Sequence, residues 1–155
     1  MEFSAKTFEE LSSLELYEIL KARSQIFVVE QNCAYQDIDD LDYCSLHIFS
    51  MEDQKVTAYL RAYWKNRDVV QIGRVLTMKH GTGLGGKLLK AGISIVKEKM
   101  PCRKIYIEAQ CYAEAFYQRE GFQVISEPFL EDGIPHEKME LELVHEIPDE
   151  EQQGD

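Results

Sequence analysis

The spacing of apolar residues in this chain changes near residue 80. From residue 44 to 77, apolar and polar residues alternate, interrupted by two short turn-forming runs. Alternation with period two is typical of strands, and short turns between strands favour antiparallel pairing. Over Leu88–Met100, apolar residues recur every three or four positions, and Pro101 follows. That spacing is typical of one helix face and its end. The sequence therefore predicts antiparallel strands, then a helix, joined at residues 79–87.

The remainder of the chain predicts further elements of the same sheet. A first helix is expected over Ser13–Val29, after a capping box formed by Ser12 and Glu15. Later elements are expected in the order strand, helix, strand and strand, at residues 104–110, 111–120, 122–125 and 138–145. A strand–helix–strand connection within one sheet makes its two strands parallel. The predicted fold class is α/β, with a mixed central sheet that is antiparallel first, parallel at its centre, and flanked by helices.

Length and composition predict one cytoplasmic domain. The 155 residues fit a domain over 1–148 and a solvated acidic tail over 149–155. The sequence has no apolar run of about 18 residues and no signal peptide pattern, so neither a membrane span nor secretion is expected. The four cysteines lack zinc spacing, which predicts reduced thiols and no metal site.

The formal net charge of −11 excludes nucleic acid as the expected partner, because phosphates attract basic surfaces. The charge fits either a cationic substrate or solubility alone. Part of the acidity lies in Glu30–Tyr43, which we interpret as a polar surface loop.

The glycine-rich run Lys79–Lys87 stands between a predicted strand and a predicted helix. Glycines there allow backbone N–H groups to surround an anion, and the helix dipole adds to the attraction, so a pyrophosphate is the expected ligand. A Walker A loop would require Ser or Thr where Leu88 stands. A dinucleotide-binding fingerprint matches in its glycines, but antiparallel strands precede it.

A third class of phosphate loop fits the sequence better. The spacing His80-x-x-Gly83-x-Gly85 resembles the Q/R-x-x-G-x-G/A loop with which GNAT N-acetyltransferases bind coenzyme A. The order of predicted elements is similar to that fold over most of the chain. Phe27–Gln31 and Glu131–His136, and shorter strings at Tyr35–Asp37, Gly73–Val75 and Ala109–Gln110, resemble the ElaA-like branch of that superfamily.

The resemblance implies transfer of an acetyl group from acetyl-CoA to a primary amine by direct attack in a ternary complex. It also implies a strand before the loop that splays to admit the pantetheine arm, with Gly73 marking a bulge. The cofactor-binding residues implied are Val75, Leu76, Thr77, His80, Gly81, Thr82, Gly83, Leu84, Gly85, Gly86, Lys87 and Gln110. Two features depart from the family: His80 replaces Gln or Arg, and the segment from Arg74 to the loop is about two residues short.

Tyr117 matches the family position of the general acid, since a phenol can protonate a departing thiolate. The sequence does not decide whether Glu108, His136 or a chain of waters acts as the general base. Glu108 lies in an otherwise apolar strand, where a carboxylate is either functional or paired, and Arg74 is the expected partner for such a pair. Glu30, Gln31 and Arg74 are the expected substrate-binding residues.

The acceptor is expected to be a small-molecule or peptide amine, and the acidic loop favours a cationic one such as a polyamine, an aminoglycoside or a lysine side chain. Two other functions stay open: an acyl-CoA binding or sensing module with little turnover, and a different nucleotide-binding enzyme. The oligomeric state is also open, although a homodimer is common in the family.

Overall fold

The computed structural model describes residues 2–143, which form a single eight-stranded sheet with helices on both faces. The predicted tail over 149–155 and the predicted domain's last residues, 144–148, lie outside this range. The strands are β1 (Ser4–Thr7), β2 (Leu46–Glu52), β3 (Lys55–Trp64), β4 (Val69–Thr77), β5 (Lys104–Gln110), β6 (Gln123–Val124), β7 (Phe129–Glu131) and β8 (Ile134–Glu142). The α-helices are α1 (Ser13–Arg23), α2 (Leu84–Lys99) and α3 (Glu114–Gln118).

The strand order is β1-β2-β3-β4-β5-β8-β6, and β7 pairs with β8. β4 and β5 are parallel, whereas the other pairs are antiparallel. The mixed sheet expected from the sequence, with its parallel pair at the centre, is therefore confirmed.

Most predicted elements are present, with shifted ends. β4 and β5 have the predicted bounds, because a turn or a proline stands before each. The first helix is α-helical only as far as Arg23 and continues as a π-helical segment over Ser24–Glu30. The last strand, expected to begin at residue 138, begins instead at Ile134, since β7 provides it with an antiparallel partner.

Alternating residues of β3 pack on opposite sides of the sheet. Ala58, Leu60 and Ala62 face the larger core, which α2 completes with Leu88, Leu89 and Val96. Tyr59 faces the smaller core beneath α1, with Ile19 and Ala22. The period-two pattern in the sequence thus separates two layers of packing, one on each face.

β4 is interrupted by a bulge at its centre. Arg74 and Val75 together oppose Leu60, because Gly73 pairs with Arg61 and Leu76 pairs with Tyr59. Arg74 has a φ of 53°, in the left-handed region. The bulge thus begins one residue after the glycine that was expected to mark it.

The pairing between β4 and β5 covers only one end of each strand. It runs from Val69–Lys104 to Gln71–Tyr106 and then stops. The last residues of both strands line a common cleft instead. The sheet is therefore open at its centre, on the C-terminal side of the parallel pair, which is the splay implied by the family resemblance.

Candidate active site

The cleft between the open ends of β4 and β5 has a volume of ≈ 700 Å³. Helix α3, the π-helical segment and the β7–β8 hairpin complete its walls. The predicted site residues that line it are Gln31, Arg74, Val75, Leu76, Thr77, His80, Gly85, Glu108, Gln110, Tyr117 and His136.

The other predicted site residues lie outside the lining of the cleft. Glu30 is exposed, and its carboxylate accepts a hydrogen bond of 3.2 Å from the Gln25 amide. The rest belong to the glycine loop and the first turn of α2, beside the cleft: Gly81, Thr82, Gly83, Leu84, Gly86 and Lys87.

The glycine loop leads directly into α2. Gly83, with a φ of 78°, is the residue that caps the helix, and the Thr82 hydroxyl accepts a hydrogen bond of 3.4 Å from the Leu84 amide. The first N–H groups of any α-helix lack partners within it, and the helix dipole is positive at that end. The loop therefore presents backbone donors suited to an anion.

Gly85 permits close contact between α2 and α3. A Cβ atom at this position would lie 3.3 Å from the Phe116 ring, next to the side chain of Thr77. At Gly86 a Cβ atom would meet nothing within 4 Å. Of these two glycines, only Gly85 is therefore required by packing.

Tyr117 lies on α3 with its ring among aromatic side chains. It contacts Phe116 and Phe122 edge-on, at centroid distances of 5.0 and 5.8 Å. The residue is 9% exposed and lines the cleft. Burial raises the pKa of Tyr117. The raised pKa keeps its hydroxyl protonated at neutral pH, and because that hydroxyl makes no hydrogen bond to another residue within 2–143, it is available to a ligand.

His136 is oriented by its own hairpin. Its Nδ1 lies 2.7 Å from the Ile134 carbonyl, which can only accept, so Nδ1 carries the proton in the neutral ring. The lone pair is then on Nε2, which lies 3.5 Å from a carboxylate oxygen of Glu131. Burial raises the pKa of Glu131, and His136 partly opposes that shift. The arrangement provides a base with a fixed tautomer at the cleft.

Glu108 accepts a hydrogen bond of 2.7 Å from the Tyr106 hydroxyl. In the β5–β8 register Gln110 is opposite His136, so Glu108 and His136 project from the same face of the sheet. The ion pair expected between Glu108 and Arg74 is wrong, because Arg74 binds Asp37 and Asp39 instead.

The acidic loop is also not the solvated surface that the sequence suggested. Its aspartates Asp37 and Asp42 are only 7% and 5% exposed, and they form ion pairs with the fully buried Arg23. Asp39 forms two hydrogen bonds, of 2.7 and 2.6 Å, to the guanidinium of Arg61. Local composition could not predict this, because the partners are up to 37 residues apart.

These contacts form one buried network of three arginines and three aspartates, Arg23, Arg61, Arg74, Asp37, Asp39 and Asp42, which we call the Arg–Asp network. Burial alone would raise the pKa of Asp39 and of Asp42, but their arginine partners outweigh it and lower both pKa values. The network is neutral overall, so its three aspartates add no net charge to the cleft.

Three other carboxylates do contribute charge to the cleft. Glu108, Glu131 and Asp132 line it, and none of them is ion-paired with a lysine or arginine within residues 2–143. This part of the cleft is therefore acidic, although the charges within the Arg–Asp network cancel.

The part of the chain that the structure describes contains no helix with the length and apolarity to cross a membrane. The same residues contain no grouping of three or more potential metal-binding side chains.

Sequence comparison finds a match over most of the chain. Residues 13–143 match the family described as "Acetyltransferase (GNAT) domain". The protein ElaA of Escherichia coli is 38% identical over 141 residues, which cover 87% of this chain and 92% of ElaA. A UPF0039 protein of Schizosaccharomyces pombe is 37% identical over 147 residues, covering 92% of this chain and 98% of that protein.

Solved structures agree with the sequence matches. The crystal structure of E. coli ElaA superposes on this chain with a TM-score of 0.86 at 36% identity, covering 92% of this chain and 100% of ElaA. An acyl-CoA N-acyltransferase from Pseudomonas aeruginosa gives a TM-score of 0.85 at 34% identity, covering 91% of this chain and 99% of that one. A GNAT family acetyltransferase from Elizabethkingia anophelis with acetyl-CoA bound shares the fold, with a TM-score of 0.61 at 18% identity over 91% of this chain and 98% of that one.

Proposed function

The chain belongs to the GNAT acetyltransferase family, and from that premise we propose that it transfers an acetyl group from acetyl-CoA to a primary amine. The proposed reaction is direct attack within a ternary complex. The observation that carries the proposal is the open centre of the sheet. It combines unpaired strand ends, a helix N-terminus for an anion and the free hydroxyl of Tyr117 in one cleft.

The residues present fit acetyl-CoA as the co-substrate. The amides at the start of α2 suit its pyrophosphate, because they have no partner within the helix and lie at the positive end of its dipole. The amide-rich pantetheine arm can hydrogen-bond to backbone of Val75, Leu76 and Thr77, where β4 no longer pairs with β5. His80 and Gln110 also line the cleft and are proposed to contact the cofactor.

In the proposed reaction, the neutral amine nitrogen attacks the carbonyl carbon of the thioester. A C–N bond forms, and the carbonyl oxygen becomes an oxyanion that a backbone N–H of the β4 bulge can stabilise. The C–S bond then breaks as Tyr117 donates its proton to the departing sulfur, which leaves as the free thiol of coenzyme A. The nitrogen, positively charged after its attack, loses a proton that returns to the Tyr117 oxygen, so the amide forms and the phenol is restored. Its raised pKa supports this role, since the hydroxyl is protonated before the step.

The attacking amine must first lose a proton, and we propose His136 as the base. Its Nδ1 proton is held by the Ile134 carbonyl, so Nε2 is the nitrogen that would take the proton, and the Glu131 carboxylate 3.5 Å away would stabilise the resulting cation. Glu108 already accepts a hydrogen bond from Tyr106 and is proposed to bind the acceptor instead. Gln31 and Arg74 line the same cleft, whereas Glu30 lies outside its lining.

We propose a small-molecule or peptide amine as the acceptor, with a cationic form favoured by the carboxylates Glu108, Glu131 and Asp132, which lack a lysine or arginine partner within residues 2–143. These carboxylates take the place of the acidic loop in the argument for a cationic acceptor, because Asp37, Asp39 and Asp42 of that loop are paired with arginines. The cytoplasm is the proposed location, because the spacing of the cysteines in the sequence predicts reduced thiols.

Two measurements test the proposal. Calorimetry with acetyl-CoA, NAD and ATP is expected to show binding of acetyl-CoA alone. A free-thiol assay against a panel of amines is then expected to show amine-dependent release of coenzyme A. Binding of acetyl-CoA without amine-dependent thiol release would favour the acyl-CoA binding module, a reading that the unusual His80 supports. Absence of acetyl-CoA binding would contradict both functions.

A further inference from the structure

The backbone of Arg74 adopts a conformation that an arginine does not favour by itself. Its φ of 53° lies in the left-handed region, which most residues other than glycine avoid. Such a conformation persists where the surrounding structure determines it. The residue is also the first of the two that form the β4 bulge, so whatever holds Arg74 also holds the bulge.

The side chain of Arg74 shows what holds it. Its Nε donates to a carboxylate oxygen of Asp37 at 2.8 Å, and its Nη2 donates to the Asp37 carbonyl at 3.1 Å. A third hydrogen bond of 3.3 Å joins Nη2 to Asp39. Its guanidinium also lies over the ring of Tyr35, whose hydroxyl donates to Asp37 at 3.1 Å.

Asp37 is fixed in turn by α1. Its second carboxylate oxygen accepts a hydrogen bond of 3.0 Å from Nε of Arg23, and its carbonyl accepts one of 2.9 Å from Nη2 of the same side chain. Arg23 is completely buried at the end of α1. One aspartate thus connects a rigid helix to the residue at the opening of the sheet.

We infer that Asp37 is a positioning residue for acetyl transfer: through Arg74 it holds the β4 bulge in the shape that presents backbone donors to the thioester. The inference rests on the proposed function. Asp37 itself is not among the residues that line the cleft, so it acts through Arg74 and not by touching a substrate.

The test compares Asp37→Asn with Asp42→Asn. Both residues are buried aspartates of the Arg–Asp network, but only Asp37 contacts Arg74. We expect Asp37→Asn to lower kcat per folded molecule at least tenfold and to change the Kd of coenzyme A less than threefold. Asp42→Asn is expected to lower thermal stability and to change kcat less than threefold. Equal stability losses with kcat retained in both variants would overturn the inference.

The variant Arg74→Gly separates the backbone conformation at residue 74 from the contacts of its side chain. Glycine adopts a positive φ without strain, so Arg74→Gly removes the need for the side-chain restraint. In that background we expect Asp37→Asn to change kcat less than threefold. An undiminished tenfold loss would show that Asp37 acts by another route and would overturn the inference. Should Asp37→Asn not fold, Arg74→Lys, which loses the planar donor pair, is expected to show the tenfold loss, and full kcat in it would also overturn the inference.

Hydrogen exchange of β4 separates this inference from the proposed function. Without any substrate, the peptide covering Val69–Thr77 is expected to exchange at least tenfold faster in Asp37→Asn than in the wild type, but less than threefold faster in Asp42→Asn. Unchanged exchange in Asp37→Asn would overturn the inference even if the enzyme transfers acetyl groups. A wild type that acetylates no amine would contradict the function, and the exchange comparison would still decide the role of Asp37.

Discussion

The side chain of Leu60 fills the space that a Cβ atom on Gly92 would occupy. Such an atom would lie 2.7 Å from Leu60 Cδ2, in the core between α2 and β3. Helix and sheet therefore approach closely at this point, and a residue that would ordinarily weaken a helix is required there.

We expect Gly92→Ala to destabilise the protein. Overpacking of a core typically costs about 1–3 kcal/mol, which exceeds the gain of about 1 kcal/mol that alanine brings to a helix. Urea denaturation measures the difference. Gly86→Ala is the control in the same helix, since nothing lies within 4 Å of its Cβ position, and it should not destabilise. Leu60→Val should partly restore the Gly92→Ala variant, and a lack of such coupling would contradict the packing argument.

Tyr117→Phe should reduce kcat by about 10²–10⁴-fold, the usual contribution of a general acid. The affinity for coenzyme A should stay the same, because the hydroxyl makes no hydrogen bond to the rest of residues 2–143 and the ring packing is preserved. Stopped-flow thiol release and calorimetry separate the two quantities. Tyr43→Phe, an exposed tyrosine away from the cleft, is the control. Equal turnover in Tyr117→Phe and the wild type would remove Tyr117 from the mechanism.

His136→Gln should reduce kcat by about 10²–10⁴-fold, the usual contribution of a general base. Glu108→Gln is the comparison, since it removes a carboxylate from the same face of the sheet. We expect Glu108→Gln to raise KM for the amine and to leave kcat nearly unchanged, as measured by steady-state thiol release. Loss of kcat in Glu108→Gln with kcat retained in His136→Gln would exchange the two proposed roles.

Gly83→Val should abolish binding of coenzyme A, because a side chain would strain the loop and occupy the place of the pyrophosphate. The strain alone is about 1–2 kcal/mol for a residue in the left-handed region. Gly133→Val is a matched control, since Gly133 has a φ of 77° in a turn outside the glycine loop. Calorimetry should show affinity lost in the first variant and retained in the second. Gly85→Val, which would press on the Phe116 ring, should also lose affinity.

His47 should make stability depend on pH. Its Nε2 donates a hydrogen bond to the Asp42 carbonyl, and its Nδ1 accepts one from the Tyr59 hydroxyl. These two contacts stabilise the neutral imidazole in the native structure. Burial lowers the pKa of His47 from 6.5. Stability is therefore complete above about pH 6.5 and declines as the pH falls towards the folded pKa, by up to about 1.4 kcal/mol per pH unit. The free energy of unfolding of His47→Gln should depend less on pH in that window. Parallel curves for variant and wild type would contradict the assignment.

Local pattern was sufficient to predict the elements but not the contacts between distant residues. β4 and β5 could be delimited because turns and a proline bound long alternating runs. β1 was not predicted, since it has only four residues, and its pairing with β2 is a tertiary contact. β7 was missed for the same reason, so the last strand was expected to begin at residue 138, whereas β8 begins at Ile134.

Some residues of the cleft could be predicted from the sequence and others could not, for a similar reason. Of the residues that family motifs carry, Tyr117, His80 and Gly85 line the cleft, whereas Gly83 lies beside it. The Arg–Asp network was not predicted, because an aspartate in a polar segment has the same local pattern whether it is solvated or ion-paired. A possible signal was the placement of Arg61 within an apolar strand, where an unpaired cation is unfavourable.

The opening between β4 and β5 lies in the interior of the sheet, with paired strands on either side of it. Most sheets leave their main-chain donors and acceptors unmatched only along the outer rim. In the proposed complex, a linear guest with amide groups of its own would complete the hydrogen bonding of the interior. It would add a second connection between the two halves of the sheet, which the pairs from Val69–Lys104 to Gln71–Tyr106 already join at the other end.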